Sequence, residues 1–269
     1  MINITNNFYE DNNACGDNIE EVSVHVYSKE KGNYIAKRRL LSEHYIKAFI
    51  NEKEAFSLVC TASDIQYLIV GRLLSESLIT TVSEIDNIYI CSEGTTAKIY
   101  LVDGIEFSSS INEIGSCCSD NRQNIIRENS EMSKIQNCID KYNDEELRKR
   151  ISSAISIFDK DTKLHKMTSG THSCYLVREK ELIYAGEDIG RHNAMDKAIG
   201  YMYANDIEAD KCLLFTTGRV PIDMVRKAIN AKIPVLVSKS VPTKEAIDMA
   251  DKYGLILVGR AWPDSFEIY

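Results

Sequence analysis

Long apolar runs are absent from this 269-residue chain. The longest, residues 233–237 and 255–258, are far too short to span a bilayer, so no membrane-embedded protein is expected. Positive charge is also in short supply: 32 lysines and arginines face 40 acidic residues, a net charge of −8. That balance argues against nucleic acid as a partner, because binding the phosphate backbone draws on a basic face. The segment after Met1, INITNNFYEDNNACGDN, has no apolar core of the kind a secretory signal requires, which points to a cytoplasmic protein. Metal-ligand spacings such as CxxC or HxxxH are missing too. His172 with Cys174 offers half a site, and a zinc site needs three or four protein ligands. Eight cysteines in a chain without a secretory signal do not suggest a disulfide framework. Cys60, Cys91, Cys174 and Cys212 lie in or beside apolar runs and read as small buried hydrophobes. No internal repeat is visible.

What is present reads as a globular α/β protein, α+β overall, with an apolar fraction of 44% and a charged fraction of 27%. Residues 1–20 are rich in Asn and Asp and read as a loose tail. Residues 21–102 read as an N-terminal α+β domain. Its strand-like runs are VSVHVY, HYIKAFI, 85–91 and 97–102, and its one helix, 63–77, opens on a Ser63/Gln66 capping box. The pattern lapses over 103–143, a polar span read as a mobile loop between two halves. Residues 144–269 alternate differently. A helix at 145–158 and a hairpin at 174–185 precede a strand–helix–strand–helix–strand series at 212–258, which predicts right-handed crossovers and a mainly parallel sheet. Pro221 and Pro242 open helices in that series, and Gly254 closes one.

The stretch YAGEDIGRHNAMDKAI, residues 184–199, sits where a strand ending at Ala185 gives way to a helix, with Asn193 as N-cap and Asp196 three places on. Ligands of such sheets sit outside the carboxyl ends of the strands. Segments 186–192, 217–219, 238–242 and 259–260 all fall at those ends. Arg191, His192, Arg219, Lys239 and Arg260 are donors suited to phosphate oxygens, and Gly170 and Gly218 allow close backbone approach to a ligand. Asp188 could orient an arginine or histidine or accept from a heterocycle N–H. The alternative for each is a solvated surface charge, or for Asp188 an ion pair with Arg191. Cys117 and Cys118, adjacent in the polar loop, could be a reactive thiol pair, metal ligands, a vicinal disulfide or an accident of sequence.

These segments resemble one family. GEDIGRHNAMDKAIG is similar to the EDVGRHNAVDK signature of the FdhD family, the formate dehydrogenase accessory sulfurtransferases. TSGTHSC resembles its TGGxHxA segment, TTGR its SGR, SVPTKEAIDMA its SAPSxxAxxxA, and DIQYLIVGRLLSESLI its DLxELAVGFLxSEGII. LVGRAWPDSFEIY resembles its C-terminal LVGFxRGxRxNIY. The resemblance implies a cytidine-deaminase-like C-terminal domain and a homodimer. It implies a sulfur carrier that takes persulfide sulfur from a cysteine desulfurase. The acceptor is the molybdenum bis-molybdopterin guanine dinucleotide cofactor, destined for formate dehydrogenase. GSCC aligns with the start of the family's SSCGxCG loop, so Cys117 takes the persulfide position, with Cys118 as resolving or fallback thiol. Taken with the strand-end reading, Gly170, His172, Asp188, Arg191, His192, Gly218, Arg219, Gly259, Arg260 and Trp262 are the cofactor-binding candidates, Arg260 as a substitute donor where the family has Phe. The chain departs from the pattern at Asp120, where the family has its second cysteine, and at Trp262, Pro263 and Ser265. A chaperone that binds the molybdenum cofactor without transferring sulfur is the alternative. A zinc deaminase is not expected, because neither H-x-E nor P-C-x-x-C occurs.

Overall fold

The computed structural model describes residues 2–9, 19–105, 144–157 and 162–269. Two sheets and a free hairpin make up its strands. β1 (Ile4–Asn6), β4 (His44–Ile50), β5 (Lys53–Cys60), β6 (Ile85–Ile90) and β7 (Thr96–Leu101) form a five-stranded sheet in the order β1-β6-β7-β4-β5. β2 (Ile19–Ser28) and β3 (Gly32–Leu41) pair only with each other. Helix α1 (Ile65–Ser75) packs on the five-stranded sheet, where Leu68, Ile69 and Leu73 join Ile46, Ile88 and Ile99 in one apolar core. The segment expected to be a loose tail thus supplies an edge strand, since Ile4–Asn6 pairs in parallel with β6.

β3 and β5 escape the sequence reading as well, as does the last strand, Ser265–Ile268. β3 carries Lys37, Arg38 and Arg39 and lacks alternation, and β5, KEAFSLVC, is buried without a break from Ala55 to Leu58, so it shows no alternation either. The connection into β5 is a two-residue turn in which Asn51 and Glu52 both adopt positive φ (46° and 63°). Such turns match the twist of paired strands.

The second half holds α2 (Glu145–Ser156), α3 (Lys163–Thr168), α4 (Arg191–Ala204), α5 (Ile222–Asn230) and α6 (Lys244–Tyr253). They pack on a sheet of order β13-β12-β11-β10-β8-β9. Its strands are β8 (His172–Arg178), β9 (Glu181–Asp188), β10 (Cys212–Thr216), β11 (Val235–Ser238), β12 (Ile256–Trp262) and β13 (Ser265–Ile268). β10, β11 and β12 are parallel, as the alternating pattern predicts, while β8 and β13 run against them. Central β10 is buried at every residue, which explains its unbroken CLLFT. Thr243 caps α6 by accepting from Ala246 N, and Gly254 ends it at φ 74°.

Helix starts differ from expectation in two places. The backbone cap of α1 is Asp64, held left-handed at φ 54° without a side-chain cap bond. Ser63 instead faces Lys197, and Gln66 Oε1 accepts from Asn6. The pivotal helix begins at Arg191 with Gly190 as cap, and β9 runs on to Asp188. Asn193 turns inward, donating to Val59 O (2.8 Å) and Asp188 Oδ1 (3.0 Å). Tertiary partners outbid local caps at both positions.

The halves meet through α1 and α4, which cross at glycines. A Cβ on Gly71 would lie 1.8 Å from Asp196 O, and one on Gly200 would lie 1.8 Å from Tyr67 O. Beside that crossing sits a buried ionic cluster. Lys227 Nζ contacts Asp196 Oδ1 (2.8 Å) and Glu76 Oε1 (2.7 Å), and Arg72 reaches Asp196 Oδ2 (3.3 Å).

Candidate functional site

β9, β10, β11 and β12 all point the same way, so their carboxyl ends gather at one edge, beside the start of antiparallel β8. A cleft of about 440 Å³ opens there, lined among others by His165, Gly170, Thr171, His172, Thr217 and Lys239. Its wall is built by Glu187. This buried carboxylate accepts from Leu164 N (3.0 Å), His165 N (2.8 Å) and Thr171 Oγ1 (3.2 Å), which pins α3 and the segment leading into β8 to the end of β9. Thr217 Oγ1 accepts from Ser173 N at 3.0 Å and fastens the opposite side.

The imidazoles of the cleft are tuned by these contacts. His165 Nδ1 lies 2.9 Å from the Thr171 carbonyl, to which it donates, so Nε2 is the ring nitrogen left to face a ligand. Burial pushes the His172 pKa below its ordinary 6.5, and the charges of Arg191, His165 and His192 push it further. At neutral pH His172 is therefore an uncharged ring beside cationic neighbours.

The remaining candidates separate by position. Gly170 and His172 line the cleft, as does Lys239. The Lys239 ammonium also stands 4.6 Å from the ring centre of Trp262, which is 48% exposed, so the aromatic ring adjoins the rim. Arg191 packs its stem over Gly218, where a Cβ would meet Arg191 Cβ and Cδ at 3.0 Å. His192 Nε2 contacts Asp223 Oδ2 at 2.5 Å. Burial alone would raise the Asp223 carboxyl, but His192 draws it below its ordinary value. Arg219 is exposed at the end of β10. Arg260 is exposed at φ 44°, where β12 and β13 slip register, and its Nε lies 3.6 Å from Glu267. Gly259 is explained by packing, since a Cβ there would lie 2.9 Å from the Tyr269 ring and 3.0 Å from Pro242.

Asp188 does not face the cleft. It is fully buried, and its partner is Lys197 (2.8 Å) rather than Arg191, with Thr61 N, Thr61 Oγ1, Gly190 N and Asn193 Nδ2 completing its shell. The acidic pair of the signature is thus architectural: Glu187 holds the cleft wall, and Asp188 ties that wall to the five-stranded half. His165 and Lys197 were not singled out from sequence. Lys197 lies in the signature and carries no sequence mark of burial; His165 follows only a lysine and a leucine at a helix start.

Cys117 and Cys118 lie outside the described residues, as do Cys15, Cys138 and most of the 103–143 loop. Among the described cysteines, burial raises the thiol of Cys60 to about 12 and that of Cys212 to about 11, and Cys174 is pushed up as well. Those thiols stay protonated and inert at neutral pH. Cys91 differs from its expected role as a buried hydrophobe. Burial pushes its pKa up, but hydrogen bonds involving Thr95 and Thr96 outweigh that, and the net shift is downward. The described residues contain no group of three or more His, Cys, Asp or Glu placed to hold a metal ion.

A mixed α/β protein with an imidazole-bearing cleft where strand ends converge is the class that fold and site define. The chain belongs to the FdhD/NarQ family, whose profile matches residues 41–269. It is 31% identical over 250 residues to the sulfur carrier protein FdhD of Bacillus pumilus, covering 91% of this chain and 93% of that one. It is 32% identical over 235 residues to the FdhD of Geobacillus kaustophilus, with coverage of 82% and 83%. The fold matches a crystal structure described as that of a formate dehydrogenase accessory protein from Desulfotalea psychrophila. The TM-score is 0.70 at 21% identity, over 93% of this chain and 96% of that one. At that identity the likeness speaks for the fold alone.

Proposed function

We propose that this chain is a sulfur carrier that accepts persulfide sulfur from a cysteine desulfurase. It passes that sulfur to the molybdenum bis-molybdopterin guanine dinucleotide cofactor, as acceptor substrate, for a formate dehydrogenase. The Cys117 thiolate attacks the terminal sulfur of the donor persulfide. The donor S–S bond breaks, the donor cysteine leaves as thiolate, and Cys117 carries the terminal sulfur. Cys118 stands next to it as resolving thiol.

The observation that carries this reading is the strand-end cleft, framed by the family's own signature residues. Lys239 and Arg191 supply positive charge for an anionic guest, and His165 and the uncharged His172 offer hydrogen-bonding nitrogens. Burial keeps Cys60, Cys174 and Cys212 protonated, which leaves Cys91 among the described cysteines, and the family alignment favours the loop thiols over it for sulfur chemistry. With this go a cytidine-deaminase-like reading of residues 144–269, a cytoplasmic location and a homodimer. The described residues contain no helix long and apolar enough to cross a membrane.

The test is intact mass spectrometry after incubation with a cysteine desulfurase and cysteine. The expected result is a gain equal to one sulfur or more, lost in Cys117→Ser. Asp120, in place of the family's second cysteine, favours a second reading in which the chain binds and shields the cofactor only. No mass gain in the wild type would favour that one.

A further inference from the structure

The β2–β3 hairpin lies almost wholly outside the segment matched by the family profile, which begins at residue 41. It pairs with no other strand among the described residues. At its base a Cβ on Gly170 would lie 3.4 Å from Leu41 Cδ1, and β3 also meets α3. Each strand has ten residues, so the ribbon extends ~34 Å at ~3.4 Å per residue. A two-stranded ribbon alone is marginal in water. This one also shows Tyr27 (78% exposed), Ile35 (65%), Leu40 (47%) and Tyr34 (41%) to solvent.

The two outer edges are unlike. β3 carries Lys37, Arg38 and Arg39 in succession, the kind of charge that keeps an edge from pairing. The centre of β2, residues 22–28, carries no Asp, Glu, Lys or Arg, and sets Val22, Val24 and Val26 along one face. We infer that β2 is a dimerisation edge, pairing antiparallel with β2 of a second copy of this chain about a two-fold axis at Val24. The result is a four-stranded ribbon between two bodies. This rests on the homodimer reading above.

Register and charge both favour that occupant. Centring on Val24 sets Val24 against its own copy and Val22 against Val26, so the apolar faces continue across the join. A slip of one residue would set valines against Ser23 and His25 on the opposite face. The same register lays the Glu20–Glu21 end of one strand beside Lys29 of the other. The hairpin has five basic residues (Lys29, Lys31, Lys37, Arg38, Arg39) and three acidic ones (Glu20, Glu21, Glu30), a net +2. The whole chain is −8, so the rest is −8 − 2 = −10, and a second copy offers the arm a body of opposite sign.

Sedimentation velocity over a concentration series tests this with the full chain. The expected result is a dimer for the wild type and for Ile35→Lys, on the other strand, and self-association weakened roughly 100-fold or more in Val24→Lys. In Val24→Cys, mild oxidation followed by peptide mapping should yield a disulfide joining the two introduced thiols. A wild type that stays monomeric overturns both the homodimer and the arm. A dimer unaffected by Val24→Lys, with no such cross-link, leaves the homodimer standing and overturns the arm. Loss of the dimer without the cross-link overturns the β2 register.

Discussion

Both oxygens of Asp188 are committed: Oδ2 to Lys197, Thr61 N and Thr61 Oγ1, and Oδ1 to Gly190 N and Asn193. Removing one partner of a buried pair leaves the other charge uncompensated, at about 3–5 kcal/mol. Asp188→Ala should therefore lower the unfolding free energy measured in urea by an amount in that range, and Asp188→Asn should stay destabilised because it still leaves Lys197 without its counter-charge. His172 is the residue whose titration reports on the cleft. Its NMR midpoint should fall below 6.5, and Arg191→Met should move it upward by removing a repelling charge. The sign follows from linkage. A histidine whose folded pKa is depressed binds its proton more readily in the unfolded chain, so it subtracts stability as pH falls through the unfolded value. Of the proposed ligand set, the positions of Arg191 and Arg219 after strand ends and of His172 where β8 begins were legible at this scale, because the spacing to the flanking strands fixes them. Asp188 was not, because the sequence does not reveal that Lys197, nine positions on, is buried with it.

At the scale of elements, the crossing of α1 and α4 depends on two absent side chains. Gly71→Ala or Gly200→Ala would drive a Cβ into the backbone of the facing helix, and the helices must part. The expected loss is at or above the top of the ~1–3 kcal/mol typical of overpacking, measured by thermal or chemical denaturation. Gly170→Ala is the contrast: its Cβ would meet Leu41 Cδ1 at 3.4 Å in an exposed position, and stability should be nearly unchanged. Alternation placed β4, β6 and β7, and the prolines and Gly254 placed α5 and α6 to within a residue or so. It failed for β3, which has no buried face to impose a pattern, and for the start of α4, where Asn193 is drawn inward by Val59 and Asp188.

For the molecule as a whole, the ionic cluster joining α1, α4 and α5 makes the two halves one cooperative unit. Burial would raise the Glu76 carboxyl, but Lys227 and Arg72 hold it well below the ordinary 4.5. Its contribution is present above that value and is lost as pH falls below it. A single unfolding transition is expected near neutrality, seen alike by far-UV dichroism and by the fluorescence of Trp262, the chain's one tryptophan. Glu76→Gln should lower stability at pH 7 and flatten the decline below about pH 4.5. Two separate transitions in the wild type at neutral pH would show that the halves are not coupled this way.

The sequence by itself determined the family, the alternation that makes the second half a mainly parallel sheet, and the gathering of Gly170, His172, Arg191 and Arg219 near strand ends. All are local: they depend on residues close in the chain, whose spacing fixes which way each side chain faces. Only the tertiary structure decided which charges meet water and which are sealed between elements. It paired Asp188 with Lys197, spent Glu187 on the cleft wall, set Lys239 against Trp262, and brought Gly71 against α4 across more than a hundred residues. Burial and long-range pairing are properties of the packed chain, and a residue's identity carries them only after the fold has chosen its neighbours.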